Sequence, residues 1–555
     1  MKTLLICLLL LPLLAVTAQE DFTAEIDEIF REMAGPDQPG AAVAVVKDQE
    51  IVFAKGYGSA NLEYDIPNTP ETVFHIASVS KQFTVFSILL LEERGKLSFD
   101  DDIRKYIPEV PDFGETITLR HLAAHTSGLR DQWSLLVMAG WRFDDVITKE
   151  HILNMVARQK ELNFRPGEEY LYCNTGYTLL AEVVARVSGK SFPEFTAENI
   201  FRPLGMEQTL FYDDHEKVVK NRAYSYYATG EGGFKKSRLN YANVGATSLF
   251  TTVTDLAQWA MNFSSLKVGN QAIIEKMRTP AELNDGTTFG GAYGQFLTPH
   301  RGLYQIQHGG SDAGYRTYLA RFPEENFSVM VFSNYAQANP NNLALRVADL
   351  YLEDAFPPEE SSVATTAEKV NYVTLSKKEL KKKAGYFWNE SGAYVRRIYL
   401  RNDTLRYFRG FGNESPLVPV SNQEFKMQGV DVDLRVTFSN NTEPREMIVR
   451  IDGGAPIVSQ RFEPKDYKEA DLLAFAGEYF SPELQTTYHL FVKKGELRLR
   501  HYRFGERLLS SQKPDLFVTS GNRVVFERDA NGTVTGLRVS TGRVRHLLFE
   551  KVGNG

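Results

Sequence analysis

Two cysteines are all that the 555 residues contain, Cys7 and Cys173. Cys7 falls inside an N-terminal apolar stretch, so a chain that loses this stretch keeps Cys173 alone. That excludes an intrachain disulfide framework and a cysteine-rich metal site. Long hydrophobic runs are also scarce. The stretch from Leu4 to Val16 is about 13 residues, short of the roughly 20 that a membrane-spanning helix needs. With Lys2 before it and the small residues Ala15, Thr17 and Ala18 at its end, it reads as a signal peptide over residues 1–18. The expectation is an exported chain, periplasmic or extracellular, with no integral membrane span. An excess of positive charge is missing too. Lys and Arg number 63 against 70 Asp and Glu, a net charge of −7, and the cations are spread along the chain. A nucleic-acid partner is therefore not expected.

What is present is enough apolar residue, 43%, for two or more folded domains. Ala41 to Val46 and Ile51 to Lys55 are β-rich runs around Lys47-Asp48-Gln49-Glu50, a hairpin pattern. Residues 78–94 form an apolar helix stopped by Gly95, and residues 176–187 another stopped by Gly189. Strand character returns at 316–322 and 327–333. Strands, then many helices, then strands predict an α+β domain over 19–355, its antiparallel sheet closed by both ends of the segment. Residues 356–369 have linker composition.

Beyond the linker the chain alternates short strands with turns and repeats itself. Ala384-Gly385 recurs as Ala476-Gly477. Leu405 matches Leu497, Leu417 matches Leu509 and Phe425 matches Phe517, all at one offset of about 92 positions, the mark of tandem units. The register then slips, Phe438 pairing with Phe526. Two small all-β antiparallel barrel-like modules follow, 370–465 and 466–555.

Three Ser-x-x-Lys spacings occur: Ser78/Lys81, Ser264/Lys267 and Ser510/Lys513. Spacing alone marks nothing, since an exposed lysine near a capping serine is common. Only Ser78 opens a long apolar helix. There serine and lysine share one face, the helix N-terminus favours an oxyanion, and burial lowers the lysine pKa toward a neutral amine. Tyr172-Cys173-Asn174 precedes the second helix: a phenol near a lysine relays protons, and an Asn amide binds a carbonyl. Taken alone, Tyr172 reads as a packed loop residue. His308-Gly309-Gly310, followed by Ser311-Asp312-Ala313-Gly314-Tyr315, permits close approach of backbone N–H groups to a substrate. Alone, it reads as a turn.

In order and spacing, Ser78-Val79-Ser80-Lys81, Tyr172-Cys173-Asn174 and His308-Gly309-Gly310 resemble the three active-site motifs of the class C β-lactamase, D-alanyl-D-alanine carboxypeptidase and related esterase superfamily. Residues 119–129 (LRHLAAHTSGL), 203–206 (PLGM) and 252–259 (TVTDLAQW) look similar to it as well, and the likeness runs from about residue 23 to 355. The resemblance implies a β-lactamase/penicillin-binding-protein-like fold with Ser78 as acylated nucleophile. It implies that Lys81 and Tyr172 share the acid and base work and that Asn174 orients substrate. The N–H groups of Ser78 and Ser311 would form the oxyanion hole, and His308 would stand where the lactamases carry lysine. No cofactor or metal is implied; His121 and His125 lie in a segment the resemblance accounts for as structural.

The sequence departs from the lactamase Lys-Thr-Gly at His308-Gly309-Gly310, which weakens a carboxylate anchor. The expected substrates are therefore a small peptide, a D-amino-acid amide or a carboxylic ester. The alternatives are a penicillin-binding D,D-carboxypeptidase or β-lactamase, and a binding or sensory module on the same fold. Cys173 reads as packed filler or as a modifiable thiol. The C-terminal modules resemble the barrels of D-aminopeptidases. They read as structural support or dimer contact, or as a gate that sends a loop into the cleft.

Overall fold

The computed structural model describes residues 21–553 apart from residue 231 and segments 359–371, 391–393, 411–412, 431–432, 440–444, 452–453 and 520–521. The expected signal peptide, 1–18, and most of the expected linker lie outside the described residues.

The hairpin pattern folds as two strands, β1 (Ala41–Lys47) and β2 (Glu50–Tyr57). Asp48 at φ 50° and Gln49 at φ 68° form the connection, the double left-handed turn whose twist suits a two-residue hairpin. Strands β3 (Phe296–His300), β4 (Leu303–Asp312), β5 (Tyr315–Phe322) and β6 (Phe327–Ser333) complete a six-stranded sheet of order β3-β4-β5-β6-β1-β2. Antiparallel pairing of Ala41 with Ser333 through Lys47 with Phe327 joins the two ends of the domain. Residues Ala41 to Val46 are all buried because both faces of the sheet are covered. Ala42, Ala44 and Val46 face the main helical core, whereas Ala41, Val43 and Val45 pack against the helices Thr23–Phe30 and Pro340–Tyr351.

Two buried helices hold the chemistry. The first, α1 (Lys81–Glu93), is preceded by a 3-10 turn over Ala77–Ser80, so Ser78 lies in that turn and not in the α-helix. Every residue from Lys81 to Leu91 is buried, as expected of a helix that is apolar all round. Gly95 at φ 65° ends it, with Lys96 N–H donating to Leu91 O. The second, α2 (Asn174–Ser188), ends on left-handed Gly189 and packs alongside α1.

The C-terminal half is two antiparallel barrels. Eight strands from Gly385–Asn389 to Ile457–Phe462 close on one another. Nine strands, from Gly477–Ser481 to Val544–Gly553, form a nearly closed second barrel. The sequence repeat marks equivalent core positions: Leu405, Leu417 and Phe425 are buried in the first, Leu497, Leu509 and Phe517 in the second. Leu405 pairs with Leu417, and Leu509 N–H donates to Leu497 O.

The two barrels differ in how they attach. The first has its own hydrophobic cluster. The second shares a continuous core with the helical side of the hydrolase-like domain. Across that junction the fully buried Arg130 contacts Glu483 at 2.5 Å and donates from Nη2 to Arg545 O at 3.0 Å. Tyr488 Oη donates to Met138 O at 2.8 Å.

Candidate active site

Ser78 is presented by a strained turn. Ala77, one residue earlier, has φ 49°, a conformation that costs a non-glycine residue on the order of 1–3 kcal/mol. Packing holds it: Thr317 Oγ1 donates to Ile76 O at 2.9 Å. A Cβ on Gly310 would lie 2.2 Å from Thr317 Oγ1 and 2.3 Å from Ile76 O. Glycine at 310 thus lets β4 press against the turn that carries Ser78. Gly309 differs, since nothing lies within 3.7 Å of its would-be Cβ. His308-Gly309-Gly310-Ser311 lies inside strand β4, opposite Leu319 to Arg316 of β5, and is not a turn.

Lys81 is fully buried. Its Nζ donates to Ser78 Oγ at 3.1 Å, to Asn174 Oδ1 at 2.9 Å and to Ala246 O at 2.7 Å. The last contact depends on Gly245 at φ 95°, where a Cβ would meet Tyr177 O at 2.4 Å. Burial lowers the Lys81 pKa to about 7, against the opposing pull of the Asp312 and Asp131 carboxylates, while the Arg543 guanidinium adds to the lowering. Tyr172 lies beneath this amine, its ring centroid 4.9 Å from Nζ. Burial raises the phenol pKa, and the neighbouring Ser78 hydroxyl and the Arg543 charge only partly offset that. The two groups are thereby driven in opposite directions: an amine able to be neutral near pH 7 beside a phenol that keeps its proton.

His125 stacks on Tyr172 at 4.2 Å between centroids, and its Nδ1 accepts from Cys173 N–H at 3.0 Å. Burial holds it neutral, so it acts as a wall for the tyrosine ring. The Cys173 thiol donates to Leu129 O at 3.3 Å and is pushed up to about 12 by burial, a packed and unreactive sulfur. His308 is also buried, and burial followed by the Lys81 charge lowers its pKa to about 3. Its imidazole is neutral at pH 7.

Asn174 does more inside the protein than the motif suggests. Its Oδ1 accepts from Lys81, while its N–H and Nδ2 both donate to Asp131 Oδ2 at 2.8 Å. One amide hydrogen remains for a ligand. Ser78, Tyr172, Asn174, His308 and Ser311 line one cavity of about 530 Å³. The other two Ser-x-x-Lys pairs are elsewhere. Ser264, in the last turn of the helix Val253–Ser265, and Lys267, just past its end, are exposed, and Ser510 and Lys513 lie on a barrel strand.

Three residues matter to this site without any motif to mark them. Asp131 caps the helix Gln132–Met138 through Oδ1 and anchors Asn174 through Oδ2. Asp312 is hydrogen-bonded by Thr247, and burial lifts its pKa to about 6. Arg543 comes from the second barrel and lines the same cavity. A helix-capping signature, Asp131 before an apolar run, was available for the first. No local pattern exists for the others.

Comparison with known proteins follows the geometry. Residues 26–352 match the family described as Beta-lactamase. A D-aminopeptidase of Gluconobacter oxydans is 28% identical over 330 residues, 59% of this chain and 62% of that protein. The chain therefore matches about three fifths of that relative's length. An octameric penicillin-binding protein homologue from Pyrococcus abyssi superposes with a TM-score of 0.55 and 27% identity, covering 79% of this chain and 99% of its own. A penicillin-binding protein from Bacillus halodurans gives 0.52 and 25%, over 60% and 100%.

Proposed function

We propose, from the premise that this chain belongs to the beta-lactamase family, that it is an exported serine hydrolase that works through an acyl-enzyme at Ser78. Its substrates are short peptides, D-amino-acid amides or carboxylic esters. The observation that carries this reading is the fully buried Lys81 amine, with a pKa near 7 and 3.1 Å from Ser78 Oγ.

Neutral Lys81 accepts the Ser78 proton as Oγ attacks the substrate carbonyl carbon. The negative oxygen so formed is held by the N–H groups of Ser78 and Ser311, whose residues line the cavity. Donors of this kind are each worth about 10² to 10³ in rate. The carbon–leaving-group bond then breaks, and the proton passes from Lys81 through the Tyr172 phenol to the leaving group. Water attacks the acyl carbon in the second half, its proton following the same groups, and Ser78 Oγ departs with a proton. Asn174, held by Asp131, fixes Lys81 and offers its remaining amide hydrogen to the substrate.

The neutral His308 supports the preference for substrates other than penicillins, because an uncharged imidazole is a poor anchor for their carboxylate. A fluorophosphonate probe is expected to label the wild-type chain and not S78A; labelling of S78A at the wild-type rate removes the assignment.

A further inference from the structure

One residue lining the cavity beside Tyr172, Arg543, lies outside the family domain. The strands Val534–Thr541 and Val544–Gly553 of the second barrel meet in a hairpin whose connection is Gly542-Arg543. The tip is clamped through its backbone: Arg543 O accepts from Asp131 N–H at 3.3 Å and from Asn163 Nδ2 at 3.2 Å. Arg545 N–H donates to Asn163 Oδ1 at 2.8 Å. The position of the Arg543 side chain is therefore set by the fold of both domains.

The guanidinium lies over the Tyr172 ring, 4.8 Å from its centroid. Among the described residues it has no carboxylate within ion-pair distance and no side-chain hydrogen bond. Two further cations at the site bond within the protein. Lys81 donates three bonds inside the protein, and Arg316 Nη1 donates to Ala313 O and Tyr315 O. Asp312, the one carboxylate lining the cavity, accepts from Thr247 through Oδ2. Arg543 thus offers the cavity a planar cation with no carboxylate partner among the described residues. An arginine fork matches a carboxylate in two parallel hydrogen bonds.

We propose that Arg543 is a specificity-determining residue that binds a carboxylate on the leaving group of the substrate. The side is fixed by Tyr172, the residue that returns the proton to the leaving group and the one on which Arg543 rests. The substrate class is then an acyl compound whose departing part carries a free carboxylate, such as a peptide or depsipeptide cleaved at its C-terminal residue. This inference rests on the acyl-enzyme reading of Ser78.

The test uses the full chain and a matched pair of esters, 3-acetoxybenzoate and 3-acetoxybenzamide, which differ only in the charge of the leaving group. Wild type is expected to prefer the carboxylate in kcat/KM by roughly 10- to 100-fold, the range of a charge-assisted pair. In R543A the ratio falls to about one, and R543K restores part of it, as a point charge without the fork does. Benzoate is expected to inhibit wild-type turnover of p-nitrophenyl acetate more strongly than benzamide, a comparison that needs no variant to fold. Equal kcat/KM for the two esters in wild type, a ratio unchanged in R543A, or equal inhibition by benzoate and benzamide overturns the role of Arg543. Fluorophosphonate labelling separates the two failures. Labelling of Ser78 without a carboxylate preference rejects Arg543 alone, and absence of both labelling and turnover rejects the serine mechanism with it.

Discussion

In the proposed mechanism Lys81 is the residue whose state decides the activity. It accepts a proton only when neutral, and it is neutral above its folded pKa, about 7. The kcat/KM of an ester is therefore expected to rise through pH 7 and to fall about tenfold per unit below it, as for a single essential base. Asp312 holds that pKa up, so D312N is expected to move the acid limb to lower pH; a limb that stays in place contradicts the coupling. Gly310 gives a second residue-level expectation. In G310A the new methyl would lie against Ile76 O and Thr317 Oγ1, displacing β4 from the Ser78 turn. A misplacement near 1 Å costs on the order of 100-fold in rate. G309A meets no such obstacle and is expected to keep the wild-type melting temperature. The three motifs were legible as a set because each fixes a local geometry: a helix start, a residue pair before a helix, a strand with no side chain. Of their partners, Asp131 carried only a helix-capping signature, which does not tell that its second oxygen anchors Asn174, and Asp312 carried no local signal.

Among the elements, the docking of the second barrel is what the sequence concealed most fully. Arg130 and Arg545 meet although they are 415 positions apart. Periodicity reports which face of a strand is buried, and not which other domain buries it. The junction rests on Arg130, whose side chain is fully buried, and Glu483, 5% exposed. Removing Glu483 leaves buried Arg130 with only the half-exposed Glu161 at 3.4 Å as a charge partner, and breaking a buried pair costs at most about 3–5 kcal/mol. E483A is therefore expected to lower the melting temperature and to weaken activity by loosening the Arg543 hairpin, whereas the double change R130M/E483L recovers most of the stability. Equal melting temperatures for wild type and E483A would mean that the pair does not hold the junction. Of the helices, α1 and α2 were legible to within a few residues from their apolar runs and terminal glycines. The 3-10 turn at Ala77–Ser80 was not, since left-handed Ala77 is imposed by contacts from β5.

For the whole molecule, the sheet closed by both ends of the family domain and the two barrels were readable from the order of patterns and from the repeat. Leu405, Leu417 and Phe425 and their counterparts Leu497, Leu509 and Phe517 are buried at corresponding positions of the repeat. The difference between the barrels was not readable: one keeps a separate core, the other merges its core with the hydrolase domain. Export is a proposal at this scale. The secreted chain is expected to begin near Gln19, and a secreted product that retains Met1 contradicts it. The account as a whole stands on acylation of one serine out of many. The most direct measurement is the intact mass of the full chain, quenched in acid during turnover of p-nitrophenyl acetate, followed by peptide mapping. The account predicts one added acetyl group per chain, located on the peptide that contains Ser78 and absent from S78A. An acetyl group on any other residue, or turnover by S78A at the wild-type rate, contradicts it.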